Sequence, residues 1–574
     1  MSKPRIALLF VILLGYPASN RAATFHVPKD HKTIQAAIDL AAKGDVVLVE
    51  AGTYKESIRL KDGVTLRSAG DDAKGVVGLK RAEATIIDGG GADARGAGVT
   101  LAEGSALDGF SVTRVGLFDQ KDYDKHYATQ GENLPDERGA VGAGPDITAL
   151  SIPAVTAVVV NNIVHDNGHA GIGCVGAKDK RNASLIAKNV CYRNMGGGIG
   201  VANGATPMVE GNRCYNNLRG GIGNRNSAAL IIGNECFDNV RAGIGIREGA
   251  RPIVHGNKCY KNRRAGIGSR MEGTSPIIED NDCYQNAMAG IGCRDGASPL
   301  IRGNRCYENA LAGIGCRDGA KPIIFDNKCY RNKDAGIGSE LGARSFIAHN
   351  ECYENDDAGI GQRSNAETII SGNHIHHNKK SGIGFDDSKS GKSTVLNNKV
   401  IDNELVAIGI HCGWTVRMSG NELARKGGMP PIVMVFQGAE ADFSDNTITG
   451  SGVAGIRAEG TIRVMNNRFV CPEPRKVGPP QFAVWGLKGS DITIIGNSVR
   501  GWRHALSVDE ATVVAAYNKV DDYWQAGFRI SKSVVPAVVI GNVFRSEPEH
   551  PGAVITGPQG IVIDNRVEKP AVKK

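Results

Sequence analysis

Six arginines, Arg225, Arg247, Arg270, Arg294, Arg317 and Arg363, each close a recurring Gly-Ile-Gly stretch. A guanidinium is a planar fork of N–H donors that pairs carboxylates and sulfates in a bidentate way. Repeated at a fixed period, such groups suit anionic groups spaced along an acidic polymer. The pattern breaks at Glu340 and Asp386, which take the Arg position in two repeats, and Asp387 follows Asp386. Arg317, Arg363, Glu340, Asp386 and Asp387 are therefore the candidate catalytic residues. A paired carboxylate of this kind could hold Ca²⁺. A second reading stays open. Glu248, Asp295 and Asp318 directly follow their arginines, so Arg and acid could form a neutralised ladder with no ligand.

Other groups could do chemistry. His374 and His376 alternate along one stretch, with His377 adjacent, and would share a face. With a third donor they could hold a metal. The segment 117–146 interrupts the repeats and carries Asp122, Tyr123, Asp124, His126, Tyr127, Asp136, Glu137 and Arg138, so it could wall a groove. All four tryptophans, Trp414, Trp485, Trp502 and Trp524, fall in the last third, where packing is favoured over sugar stacking.

The element that must position these side chains is a repeat of about 23 residues. An Asn marks it at 162, 189, 212, 234, 257, 281, 304, 327, 350, 373 and 398, and more loosely from 421 to 565. Each unit holds three short strand-like stretches, typified by "CY", "GIG" and "PII", with turn residues between. A second Asn recurs in the turns, as at Asn309 and Asn332. Three strands and three turns in so few residues describe one coil of a parallel β-solenoid and leave no room for a helix. Alternation turns the Ile of "GIG" and the residue two beyond it inward. It turns the flanking glycines and the Arg outward. A column of Cys (191, 214, 236, 259, 283, 306, 329, 352) is continued by Ile375 and Val400, which reads as a buried hydrophobic stack of thiols, with disulfides or a metal between adjacent repeats as the alternative. At roughly 4.8 Å per coil the rod would be on the order of 100 Å long.

Residues 32–42, "KTIQAAIDLAA", have helical spacing and would cap the open end of the stack. Residues 1–23 read as a secretory signal, with Lys3 and Arg5 before the apolar run 6–16. The mature chain is then exported, periplasmic or extracellular, with no later stretch suited to span a membrane. The organisation expected is a leader over 1–23 and a single β-helix over 24–565. Within it, 24–160 hold the cap and irregular coils, 161–410 the regular repeats and 411–565 irregular coils. A polar tail, 566–574, follows. The formal net charge of +8 over 574 residues lacks the dense basic clustering of a nucleic-acid binder.

The opening "TIQAAIDLAAKGDVVLVEAGTYKESIRLKDGVTLRS" resembles the N-terminal segment shared by many right-handed parallel β-helix proteins, the superfamily of pectate lyases. The "N-x-C-Y-x-N-x-x-A-G-I-G" units resemble the repeats of periplasmic accessory proteins of nitrous oxide reduction and of alginate epimerases. The resemblance implies an all-β, single-stranded right-handed parallel β-helix with a short N-terminal capping helix. It also implies either lyase or C5-epimerase chemistry on an acidic polysaccharide, or a non-catalytic scaffold binding polymer or a partner protein. In the lyases an Arg assists proton abstraction beside the uronate carboxylate. The chain has no "WIDH", "GHG", "RIK" or "DPHD", so no catalytic set carries over residue by residue. Oligomeric state is not readable.

Overall fold

The computed structural model describes residues 22–94, 96–129, 147–178, 180, 182–474, 478–547, 550–556 and 560–569. Every strand ladder pairs parallel, and one of the three long sheets has 22 strands, so the chain winds about 22 coils. A regular coil contributes one strand to each sheet. In one such coil these are Arg305–Tyr307, Ile314–Cys316 and Ile323–Phe325. Like residues stack: Cys283 pairs with Cys306 and Cys306 with Cys329, while Ile291 pairs with Ile314 and Ile314 with Ile337. The core is the inside of the coil, a continuous column of Ile, Val, Ala and Cys side chains that run close to zero exposure.

Two asparagine ladders hold the corners. Asn304 Nδ2 donates to Asn327 Oδ1 at 3.0 Å, and the Asn304 backbone N–H donates to the same oxygen at 2.9 Å. The second ladder repeats this through Asn286, Asn309 and Asn332. Each buried amide thus satisfies the backbone groups that a sharp corner would otherwise strand.

The cap forms as the pattern predicts. Helix α1, Ile34–Leu40, starts at Thr33, whose hydroxyl accepts from the Ala36 N–H at 3.2 Å. Glu56 accepts from the Ile34 and Gln35 N–H groups, and Ile34, Ala37 and Ile38 seal the core. Two helices arise where none was expected: α2, Lys80–Ala84, and α3, Gln120–Ala128. Both sit in excursions from the coil, so the coil itself still excludes helices. At the other end the strand Arg566–Glu568 pairs with Val543–Arg545, so the coil runs three residues into the expected polar tail. Residues 1–21 of the expected leader and 130–146 of the interrupting segment, with Asp136, Glu137 and Arg138, lie outside the described residues. Among the described residues no helix is long and apolar enough to cross a membrane.

No disulfide joins any of the thirteen cysteines, and only Cys412 is exposed. Burial pushes the Cys174 thiol up to about 12, and the other thiols inside the coil are shielded from reagents by their burial. A thiol reagent added to the native chain should therefore label Cys412 alone, and all thirteen after unfolding. Fast native labelling of several cysteines would mean the column is open to solvent.

Candidate polymer-binding trough

The "GIG" strands form a sheet whose outer face is a trough of about 1090 Å³. Its floor is small residues: Gly223, Gly245, Gly268, Gly292, Gly315 and Gly338, with Ala242, Ala265, Ala289, Ala312 and Ala335 beside them. One rim is the expected row of Arg225, Arg247, Arg270, Arg294 and Arg317, ending at Glu340 and Arg363. The opposite rim carries Arg219, Arg241 and Arg264, then Met288, Leu311 and Asp334. That second row went unread in the sequence. Its signal was there, at the second position after the corner Asn, but it spans only three coils before changing character.

The glycines that flank each Ile do not play one role. The second of each pair faces the trough. The first is wedged into the corner: a Cβ on Gly243 would lie 2.7 Å from the Gly266 carbonyl oxygen and 2.8 Å from Asn262 Nδ2. A Cβ on Gly245 would meet nothing within 4 Å. Gly243→Ala should lower the unfolding midpoint markedly, and Gly245→Ala should leave it near wild type. Equal midpoints, read by thermal denaturation, would refute this division of labour.

The charges on the expected row are unequally paired. Arg247, Arg294 and Arg317 lean on the acid that follows each of them, at 3.4, 3.4 and 3.2 Å. These pairs lie within a coil, not across coils. Arg225 and Arg270 have no ion pair among the described residues, because Asn226 and Met271 stand where the acids would be. Burial, and then the like charge of Arg270, pull the Arg247 guanidinium below its ordinary range against the opposite pull of Glu248. On this row Arg225 and Arg270 are thus the two cations without an acid partner among the described residues.

The other end is crowded with acids. Arg363 donates to Asp386 at 2.7 Å and to Asp357 at 2.8 Å, with Asp334 at 3.6 Å, and Lys380 joins Asp357 at 3.0 Å. Burial opposes its charge, yet these carboxylates hold the Arg363 guanidinium above its usual range. Glu340 lies just before this knot, on the same rim, with no ion pair among the described residues. Asp386 and Asp387 do not converge: Asp386 faces Arg363, whereas Asp387 accepts from Cys412 Sγ at 3.3 Å and lies 3.5 Å from His411 Nδ1. Past the knot, a smaller recess of about 340 Å³ continues along the sheet with His411, Phe436 and Arg457.

The described part of the interrupting segment, 117–129, approaches the trough. Tyr123 of α3 is buried against Met195, Leu218 and Val240, and its hydroxyl donates to the Asn216 carbonyl at 2.7 Å. Arg263 stacks 4.2 Å from the Tyr127 ring centroid and also lines the trough. Helix α3 is therefore clamped onto the coils beside the second Arg row. Of the tryptophans, Trp414 and Trp502 are buried, while Trp485 is partly exposed with Arg457 above its ring. His374 and His376 lie on a different sheet from the trough.

Residues 148–274 and 270–423 match the family model described as right handed beta helix region. A search of curated proteins finds no match. Among solved structures, the mannuronan C-5 epimerase AlgE6 A-module of Azotobacter vinelandii is similar at 16% identity, over 68% of this chain and 93% of that one, with a TM-score of 0.36. The periplasmic alginate epimerase AlgG is similar at 13% identity, over 70% and 78%, with a TM-score of 0.30. A PL6 family alginate lyase, AlyGC, is similar at 10% identity, over 95% and 100%, with a TM-score of 0.33. The activities in those names belong to those proteins. Over residues 148–423 the chain matches the right handed beta helix family model, and its three parallel sheets continue the same β-helical coil on either side of that stretch.

Proposed function

We propose that this chain is an exported protein that binds an extended acidic polysaccharide along the trough. One observation carries the reading: two facing rows of arginine stand over a floor of glycine and alanine, and Arg225 and Arg270 on one row have no acid partner among the described residues. A flat floor lets a sugar chain approach the backbone closely. Guanidinium groups on the rims meet carboxylates or sulfates from the sides. A globular anion would use only a fraction of so long a surface.

A second reading, lyase or C5-epimerase chemistry, is favoured by Glu340. It is a carboxylate on the trough between Arg317 and Arg363, without an ion pair among the described residues. Arg317 would hold the uronate carboxylate and favour charge building up at C5, and Glu340 would take the C5 proton. A lyase then breaks the C4–O bond, whose oxygen takes a proton from water. An epimerase returns a proton to the opposite face.

The test applies the full chain to immobilised alginate, pectate and a sulfated glycan, with and without Ca²⁺. Retention that falls as salt rises is expected. No retention on any of them overturns the binding reading. Incubation with the same polymers in solution reads the second: no unsaturated products by ultraviolet absorbance, and no change in uronate composition by NMR, would remove the enzymatic one and leave the binder.

A further inference from the structure

We infer that Glu351, His374 and His376 form a binding site for a divalent metal ion of zinc-like chemistry, separate from the trough. The three donor atoms lie within 4.8 Å of one another. They come from neighbouring coils, because Glu351 pairs in register with His374 across the strands Glu351–Tyr353 and His374–His376. All three side chains are half-buried, so the site is sheltered yet open to an ion.

The hydrogen bonding leaves the right atoms free. His374 Nε2 is shielded from solvent and has no hydrogen-bond partner. A buried imidazole nitrogen without a partner costs free energy unless something takes its lone pair. His376 Nδ1 lies 2.8 Å from His377 Nδ1. With His376 donating there, its Nε2 is left as a lone pair, 3.5 Å from Glu351 Oε1. This is the arrangement by which an outer residue fixes the tautomer of a ligating histidine. Lys328 holds the other oxygen, Glu351 Oε2, at 3.0 Å, which orients the carboxylate and leaves Oε1 for the ion.

Two imidazoles and one carboxylate suit Zn²⁺ better than Ca²⁺ or Mg²⁺, which prefer all-oxygen shells. Three protein ligands leave a fourth position for water. The sequence showed the two histidines but not the third ligand. Glu351 lies 23 residues before His374 and becomes its neighbour only when the coils stack.

The experiment is a calorimetric titration of the full chain with ZnCl₂, alongside CaCl₂. One Zn²⁺ per chain is expected, and no comparable Ca²⁺ isotherm. Co²⁺ in place of Zn²⁺ should give visible d–d bands of a low-coordinate site. His374→Ala with His376→Ala should abolish the binding and the bands while far-ultraviolet circular dichroism stays unchanged. His377→Ala should weaken binding about 10–100-fold, and His165→Ala should leave it intact. Stoichiometry and bands that survive the double substitution, or no Zn²⁺ binding by the wild-type chain, would overturn the assignment. If the double variant fails to fold, Glu351→Gln serves in its place: weakened Zn²⁺ binding in that variant supports the site, and unchanged affinity overturns it.

Discussion

Arg225→Glu combined with Arg270→Glu is expected to weaken binding of an acidic polysaccharide by about 100-fold, with the fold intact. That factor follows from a charge-assisted hydrogen bond being worth about 1.5–3 kcal/mol, and from each factor of ten in affinity being about 1.4 kcal/mol. These two are chosen because neither has an acid partner to satisfy it among the described residues, so their charge is available to a ligand. Reversing them also places acids on either side of Arg247, which would then turn toward its neighbours and away from the polymer. The matched control puts the same charge change on a different sheet, Lys258→Glu with Arg468→Glu, on strands Lys258–Tyr260 and Arg468–Val470. Affinity measured by calorimetry or retention decides between them. An equal loss in both double variants would reduce the effect to net charge, and no loss in the first would remove the trough from the binding account.

The second large effect is on stability. Asn309→Ala should destabilise the solenoid by about 2–4 kcal/mol, the cost of leaving two buried polar groups poorly satisfied. Asn309 Oδ1 accepts from both the backbone N–H and Nδ2 of Asn286, at 3.1 and 3.0 Å. Its Nδ2 donates to the Cys283 carbonyl and to Asn332 Oδ1, each at 3.0 Å. Alanine strands the Asn286 N–H and takes a donor from Cys283. Asn309→Asp should do worse, since it keeps the acceptor, loses both donations and buries a charge. Coils touch mainly their neighbours, so the loss should be local. Hydrogen exchange should show deprotection centred on coils 281–332 before the ends of the rod respond. A chemical denaturation midpoint at the wild-type value would show that the ladder adds no stability.

Most of the architecture was legible because its determinants repeat. The corner Asn, the inward Ile and the Cys column each recur at one spacing, and a feature seen many times needs no tertiary information to be placed. The site was legible by halves. Arg225 to Arg363 could be followed along one repeat position. Arg219, Arg241 and Arg264 could not, since their position also holds Gly196, Met288, Leu311 and Asp334. The two glycines of each strand look alike in sequence, and only the stacking of coils shows that one touches a carbonyl and the other faces open space. The column of rings from His165 through Tyr192, Tyr215, Phe237, Tyr260, Tyr284, Tyr307, Tyr330 and Tyr353 to His376 was equally invisible. Its centroids are 4.8–5.2 Å apart, with planes within 9°. The Tyr is plain in each repeat, but that the rings face one another follows only from exact register between coils.

The two arginine rows are not the same length. Arg219, Arg241 and Arg264 face their counterparts only over the earlier coils, and the later coils end in the knot of Arg363, Asp357 and Asp386. The trough therefore has a head and a foot. Sugar chains also have direction, with a reducing and a non-reducing terminus. For a polymer bound as proposed, the two termini would meet different residues, so the two orientations of the chain would not be equivalent.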